Sequence, residues 1–182
     1  MVIAYIGLGA NLGNCRENIL QAWSKLGMVN GVKLLALSSP YRSAPVGMES
    51  ENWFINAAGS LKTSLEPFEL LREMFVVEKS LGRKRVLDGI PEDRSLDLDL
   101  LYWGDRVNDD PRVTLPHPEI AHRLFVLKPL AEIAPELYHP VILKTTDEML
   151  QDFLAKELET GHGPGAQVYK TSWSGTHDEV SG

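Results

Sequence analysis

Val2-Ile3-Ala4-Tyr5-Ile6-Gly7-Leu8-Gly9-Ala10-Asn11-Leu12-Gly13-Asn14 opens the chain and decides which folds can follow. Val2 to Leu8 reads as a buried strand and Gly7 to Gly13 as a glycine-rich turn. Asn14 can cap the next helix, with Glu17 at the third position in a variant of the capping box. Strand, glycine turn and helix also begin a dinucleotide-binding fold. The spacing argues against that fold, because Leu12 stands where its third glycine belongs. The ribose would also need an acidic partner, and no Asp or Glu lies between Glu17 and Glu49. The alternative is a tight turn under a close-packed helix.

Working outward, Ile19, Ala22, Trp23 and Leu26 fall at helical spacing, and Gly27 with Asn30-Gly31 ends that helix. Val32 to Leu37 reads as a second strand, Tyr41 to Glu51 as a loop, and Trp53 to Leu61 as an alternating strand. Pro67 to Leu81 reads as a helix with Pro67 in its first turn. Arg83 to Arg94 is a charged loop, and Ser95 to Trp103 a strand. This order, strand–helix–strand–strand–helix–strand, is that of the split βαβ, ferredoxin-like arrangement, an α+β domain on a largely antiparallel sheet. Thr114 to Pro118 is a rigid connection, and a short helical turn carries Ile120 to Arg123. Thr145 with Glu148 forms a capping box before a last helix that ends near Gly161. Residues 161–182 contain no Leu, Ile, Phe or Met and read as a poorly ordered tail, which leaves one domain over residues 1–160.

Composition narrows the function. The 182 residues are 43% hydrophobic and 24% charged, the mix of a globular protein. The net charge of −7 argues against a general nucleic-acid binder, although a nucleotide needs only local cations. The single cysteine, Cys15, excludes a disulfide framework and points to a reducing compartment. The longest charge-free stretch, Met1 to Cys15, is too short and too broken for a membrane span or a signal peptide. There is no Walker A motif and no Gly-x-Ser-x-Gly elbow.

The chemistry concentrates in Arg94-Ser95-Leu96-Asp97-Leu98-Asp99-Leu100. Asp97 and Asp99 share one strand face, ~6.6 Å apart along the backbone. Leu96, Leu98, Leu100 and Tyr102 are expected on the other face. Leu101 and Trp103 are expected beside the carboxylates, so that face enters covered territory. Two carboxylates ~5 Å apart at an effective dielectric of ~20 repel by ~3 kcal/mol. A hard divalent cation, Mg²⁺ above all, relieves that repulsion. Glu78 sits on the apolar stripe Leu71, Met74, Glu78, Leu81, where a buried carboxylate needs a partner. Arg83 and Arg85 follow closely. The alternatives for Glu78 are a structural ion pair and a role in the site. Phe54 and Asn56 share a strand face, a pair that suits a flat heterocycle with a hydrogen-bonding edge, and Phe125 can supply the opposite wall. Arg83, Lys84, Arg85, Arg94 and Arg123 lie in or beside expected loops; the alternatives are scattered surface charge and the arginines flanking a carboxylate pair that polyphosphate transfer requires. Held between two prolines, His117 suits either a core role or a phosphate contact.

These segments together resemble the 6-hydroxymethyl-7,8-dihydropterin pyrophosphokinase family. The resemblance rests on Ala4 to Gly13, Tyr41-Arg42-Ser43-Ala44-Pro45, Phe54-Ile55-Asn56-Ala57-Ala58, Glu78 with Gly82-Arg83, Arg94 to Asp99, Leu115-Pro116-His117-Pro118 and Pro135-Glu136-Leu137, all in family order. It implies a ferredoxin-like α/β/α sandwich. It also implies transfer of pyrophosphate from ATP to the hydroxymethyl group of the dihydropterin, with release of AMP, in folate biosynthesis. By the same resemblance Asp97 and Asp99 hold two Mg²⁺ ions, and Arg83 and Arg94 neutralise charge developing on the phosphates. Arg85, Arg112, His117 and Arg123 contact ATP, and Glu78 buttresses the site or contacts the nucleotide. Phe54 and Phe125 sandwich the pterin, while Asn56 and Ser43, Ala44, Pro45 and Val46 read its edge. Family members often carry an aromatic residue and Gly-Pro before the second arginine. Here Ile90-Pro91-Glu92-Asp93 precedes Arg94, and the acids Asp88, Glu92 and Asp93 are expected to oppose docking of a loop that orders on ATP. A cytoplasmic monomer is expected, with association with other folate enzymes left open. Two other readings stand beside this one. One is a Mg²⁺-dependent phosphoryl transferase giving ADP. The other is a non-catalytic ferredoxin-like regulatory module that binds a nucleotide without consuming it.

Overall fold

The glycine turn separates two elements that face each other across the first core. In the computed structural model, which describes residues 1–83, 92–161 and 167–174, strand β1 (Val2–Ala10) alternates strictly. Ala4, Ile6, Leu8 and Ala10 are buried toward helix α1 (Cys15–Leu26), which contributes Ile19, Ala22 and Leu26. The Asn14 side chain caps α1 by accepting from the Glu17 N–H at 3.3 Å. Strand β2 (Val32–Leu37) follows, then the three-residue strand β3 (Tyr41–Ser43) inside the segment read as a loop. Strand β4 (Phe54–Thr63) comes next, and helix α2 (Pro67–Ser80) starts with Pro67 after a reciprocal Glu66–Glu69 capping box. Strand β5 (Asp97–Trp103) carries the carboxylates.

All pairings in the main sheet are antiparallel. β1 lies between β5 and β4, and the far edge of β4 is shared end to end by β2, along Gly59–Thr63, and β3, along Phe54–Asn56. β1 and β2 therefore run parallel with β4 between them, the split βαβ arrangement expected from the element order. Helices α1 and α2 cover one face of the sheet. The other face carries helix α3 (Leu124–Ile133) and, against it, helix α4 (Thr146–Thr160), whose predicted Thr145–Glu148 capping box is formed in both directions. A two-stranded ribbon, β6 (Tyr138–His139) with β7 (Lys144–Thr145), links them.

Three differences from the sequence reading have physical causes. Helix α3 was not foreseen, since its run Leu124 to Leu130 is apolar at every position but Lys128, which masks the period, and holds Pro129, which lacks an N–H to donate. Its buried residues are Leu124, Leu127, Pro129 and Leu130, a face that the uniformly apolar run conceals in the sequence. The expectation of a poorly ordered tail fails at residues 167–174. Val168–Lys170 forms strand β8 on the edge of β3, with Val168 buried and the Trp173 Nε1 donating to the Ser38 carbonyl at 3.1 Å. One buried Val and backbone pairing to a sheet edge suffice where no periodicity is legible. Residues 162–166 and 175–182 of that expectation lie outside the described residues.

The third difference is a β-bulge. Ile6 pairs with Leu100 and Tyr5 with Tyr102, so Leu101 is an extra residue in β5. Leu96, Leu98 and Leu100 face the α1/α2 core as expected. Leu101 stays with the carboxylates, but the extra residue inverts the alternation beyond it. Tyr102 joins Leu101 in the α3/α4 core, while Trp103 packs against the α1/α2 core and donates its Nε1 to the Leu65 carbonyl at 3.0 Å.

Candidate active site

A cavity of about 390 Å³ opens on the α3 side of the sheet, where β1, β4 and β5 run side by side. Its floor is made by two glycines. Gly9 lies opposite Asp97 on one side and Asn56 on the other; Gly7 lies opposite Asp99 and Ala58. A Cβ at Gly9 would stand 3.2 Å from Asn56 Oδ1, tighter than an ordinary contact. The Gly-x-Gly of the opening segment thus makes room on a strand face and is not a phosphate cradle. Only the period of two along a strand hints at this in the sequence.

The aromatic and amide side of the cavity is formed by Phe54 and Asn56 of β4, Phe125 of α3, and Ser43, Ala44 and Val46 after β3. Asn56 is 5% exposed and donates its Nδ2 to Ser43 Oγ at 2.9 Å, which fixes the amide plane. Pro45, half-buried between Ala44 and Val46, shapes this wall without lining it. The charged side is formed by Arg94, Asp97, Asp99 and Arg123, with the Arg123 guanidinium 5.8 Å from the Phe125 ring centre.

Asp97 is held by both arginines named from the sequence. The Arg83 Nη1 donates to its Oδ1, and Arg94 Nη2 lies 2.8 Å from its Oδ2. The Arg94 guanidinium also lies 5.1 Å from the centre of the Phe54 ring. Glu78, 1% exposed, stands behind them: its Oε1 accepts from Arg83 Nη1 at 2.8 Å and from the Leu98 N–H at 2.8 Å. Burial alone would lower the Arg83 pKa, but Asp97, Glu78 and Asp99 outweigh it and raise it. Glu78 is therefore a buried ion pair that fixes Arg83, and it does not line the cavity.

Asp99 has a different environment. Burial first, and then the charge of Asp97, push its carboxyl above the usual range, while His117, Arg123 and Arg94 draw it back. His117 donates its backbone N–H to the Leu101 carbonyl at 2.9 Å and takes the Glu119 N–H on Nδ1 at 3.2 Å. That leaves Nε2 as its remaining polar atom. Among the described residues no group of three or more His, Cys, Asp or Glu side chains converges to hold a metal.

The structure thus brings together Ser43, Ala44, Val46, Phe54, Asn56, Phe125, Arg94, Asp97, Asp99 and Arg123, with Arg83, Glu78 and His117 adjoining. It does not bring Arg112 there. Arg112 is exposed, bound to Asp110 at 2.6 Å, with its guanidinium 5.4 Å from the Phe68 ring centre. Arg85, and residues 84–91 of the loop expected to order on ATP, lie outside the described residues. The residues that the sequence reading missed are Asn11 and Asn52, which bind the backbone and side chains around Arg94.

Residues 5–135 match the model of the 7,8-dihydro-6-hydroxymethylpterin-pyrophosphokinase (HPPK) family. The chain belongs to that family. Among individual relatives, the 2-amino-4-hydroxy-6-hydroxymethyldihydropteridine pyrophosphokinase of Synechocystis is 40% identical over 148 residues, covering 81% of this chain and 74% of its own. The enzyme of the same name from Bacillus subtilis is 39% identical over 146 residues, covering 80% and 86%. The folic acid synthesis protein fol1 of Pneumocystis carinii is 42% identical over 137 residues, 75% of this chain but 18% of its own length. A Plasmodium falciparum HPPK-DHPS variant with pteroate superposes with a TM-score of 0.73 at 15% identity, over 93% of this chain and 46% of that one. This last likeness concerns the fold, and it agrees with the ferredoxin-like HPPK architecture derived above. The chain spans less than half of such two-part proteins and most of the length of the two bacterial enzymes.

Proposed function

We infer that this HPPK family member transfers the pyrophosphoryl group of ATP to the hydroxymethyl group of 6-hydroxymethyl-7,8-dihydropterin, a step of folate biosynthesis. The observation that carries the site reading is a single cavity with an aromatic and amide wall on one side and a carboxylate–arginine wall on the other. Phe54 and Phe125 suit the two faces of a pterin ring, and Asn56, with the backbone around Ser43 to Val46, suits its amide edge. Asn56→Ala is expected to weaken pterin binding by ~1–3 kcal/mol, by leaving that edge unpaired. Calorimetry returning an unchanged affinity would remove Asn56 from the pterin site.

The substrate hydroxyl then points toward the carboxylates and arginines. Attack of its oxygen on the β-phosphorus forms one P–O bond, breaks the bond from that phosphorus to the oxygen bridging the α- and β-phosphates, which leaves with AMP, and releases the hydroxyl proton to solvent. Negative charge grows on that bridging oxygen and on the transferred phosphates. Arg94 and Arg123, at the cavity wall, and Arg83 beside it are proposed to offset it. His117, through Nε2, Arg85 and the more distant Arg112 are proposed as further ATP contacts.

The donor set fits Mg²⁺. Two neighbouring carboxylates, one of them with its ionised form disfavoured by burial and by the other, gain from a hard dication. With no third protein ligand converging among the described residues, the remaining positions suit phosphate oxygens and water, the usual environment of Mg²⁺ in phosphoryl-transfer sites. Asp97 and Asp99 would hold the metal, two ions being proposed, and it would polarise the phosphates and lower the pKa of the attacking hydroxyl. Arg83 and Arg94 would then turn from Asp97 toward the phosphates.

The deciding experiment incubates the protein with Mg-ATP and the reduced pterin alcohol and measures AMP and ADP separately. AMP equal to the pterin diphosphate formed, without ADP, is the expected result. ADP would indicate a simple phosphoryl transferase, and intact ATP a binding module. Action as a monomer is proposed. The longer folate-synthesis relatives support association with other enzymes of folate synthesis. The cytoplasm is proposed as the location, and no described helix is long and apolar enough to cross a membrane.

A further inference from the structure

Asp93 was expected to oppose the approach of its neighbour Arg94 to the site. The structure gives it a different task. Its Oδ1 accepts from Asn11 Nδ2 at 2.6 Å and its Oδ2 from Asn52 Nδ2 at 2.6 Å. Asn11 in turn surrounds the Arg94 peptide. Its Oδ1 accepts the Arg94 N–H at 2.7 Å, and its own N–H and that of Leu12 donate to the Arg94 carbonyl at 2.9 and 3.1 Å. Because Asn11 Oδ1 is committed to the Arg94 N–H, its Nδ2 must point at residue 93. An acceptor there completes the arrangement. Three segments meet on one carboxylate: the turn after β1, the approach to β4, and the approach to β5.

We propose that Asp93 is a positioning residue for the phosphate-binding Arg94, acting through Asn11 and Asn52. Hydrogen bonds, led by that from Ser50 and joined by those from Asn52 and Asn11, hold the Asp93 carboxyl below the usual range, so it is ionised wherever the enzyme works. The Arg94 guanidinium adds only its charge to this carboxyl and lies against Asp97 and the Phe54 ring. Arg94 Nε is buried and has no hydrogen-bond partner among the described residues. Its Nη1 donates to the Glu92 carbonyl at 3.3 Å, and once the guanidinium leaves Asp97 the clamp on its peptide sets where it can reach. Asn52 runs directly into Trp53 and Phe54, so the same bracket sets the spacing between the arginine and the aromatic wall.

This inference rests on the reading of Arg94 as a phosphate ligand, and an exchange of the two interacting groups tests it. Asp93→Asn turns two amide NH₂ groups toward each other, and Asn11→Asp opposes two carboxylates. Each is expected to lower kcat by ~10–100-fold, the scale of a small misplacement of a charged group, with pterin affinity within ~2-fold. Combining Asn11→Asp with Asp93→Asn restores the donor–acceptor pairs of residue 93 with residues 11 and 52 and of residue 11 with the Arg94 N–H, and should return kcat to within ~3-fold of the parent. Asn52→Ala removes one arm without opposing like groups, and a ~3–10-fold loss is expected even if the harsher variants fold poorly. In an Arg94→Ala background Asp93→Asn should cost nothing further. Normal kcat in Asp93→Asn, a combined variant no better than either single one, or the same loss in the Arg94→Ala background would overturn the bracket. Normal turnover in Arg94→Ala alone would overturn the role of Arg94 on which it rests.

Discussion

Replacing Asp97 or Asp99 with Asn is expected to cut turnover at saturating Mg-ATP and pterin by at least ~100-fold, the loss seen when a major electrostatic element is removed from a transition state. The amide keeps the shape and loses the charge. The two variants should part company in stability. Asp97 is an anchor of the resting structure, with Arg83 on one oxygen and Arg94 on the other. Its removal leaves two partly buried guanidinium groups short of a partner, and Asp97→Asn should melt at a lower temperature. Asp99 is opposed by burial and by Asp97, so its folded pKa is raised above the unfolded value. Its ionised form thus subtracts from stability at neutral pH, and the subtraction fades only as pH falls and the carboxyl protonates. Asp99→Asn should therefore melt no lower than the parent while losing activity. Turnover near normal in both variants would refute the metal assignment.

The largest effect on stability is expected at Glu78. Glu78→Ala removes the acceptor of the Leu98 N–H and one anion facing Arg83, both buried. Breaking a buried pair from one side costs ~3–5 kcal/mol, a large fraction of the stability of one domain. Glu78→Gln keeps an oxygen for Leu98 and loses only the charge, so it should cost less, ~1–3 kcal/mol. Urea unfolding of the two variants gives the comparison. Equal, small losses in both would show that Glu78 is not a buttress. The residual Gln variant should still bind ATP, because Arg83 stands between position 78 and the cavity.

Much of this architecture is legible in the sequence because it is written in short-range rules. Asn14, Pro67 and the Thr145–Glu148 box mark helix starts by chemistry that needs no tertiary context. The element order then limits the fold to few topologies. The carboxylate pair is legible because charges at a period of two, amid leucines, conflict with a buried strand. The unforeseen parts depend on long-range contacts. Helix α3 is hidden because nearly all of Leu124 to Leu130 is apolar, so the buried face does not stand out, and β8 exists because β3 offers an edge. The bulge at Leu101 has no local mark at all; it is set by pairing with β1. Asn11, Asp93 and Asn52 are ordinary loop residues until three distant segments are laid together.

The inverted alternation in β5 has a consequence for cooperativity. Leu96, Leu98, Leu100 and Trp103 belong to the core under α1 and α2, whereas Leu101 and Tyr102 belong to the core under α3 and α4. The strand that carries both aspartates is thus sewn into both layers within eight residues. Were it hydrophobic toward one layer alone, the other could melt and leave the charged centre in place. As built, detaching either helical layer uncovers side chains of this one strand and loosens Asp97 and Asp99 with it. No half-folded form of the domain keeps a working centre, and heat or denaturant should extinguish catalysis and structure in one shared transition.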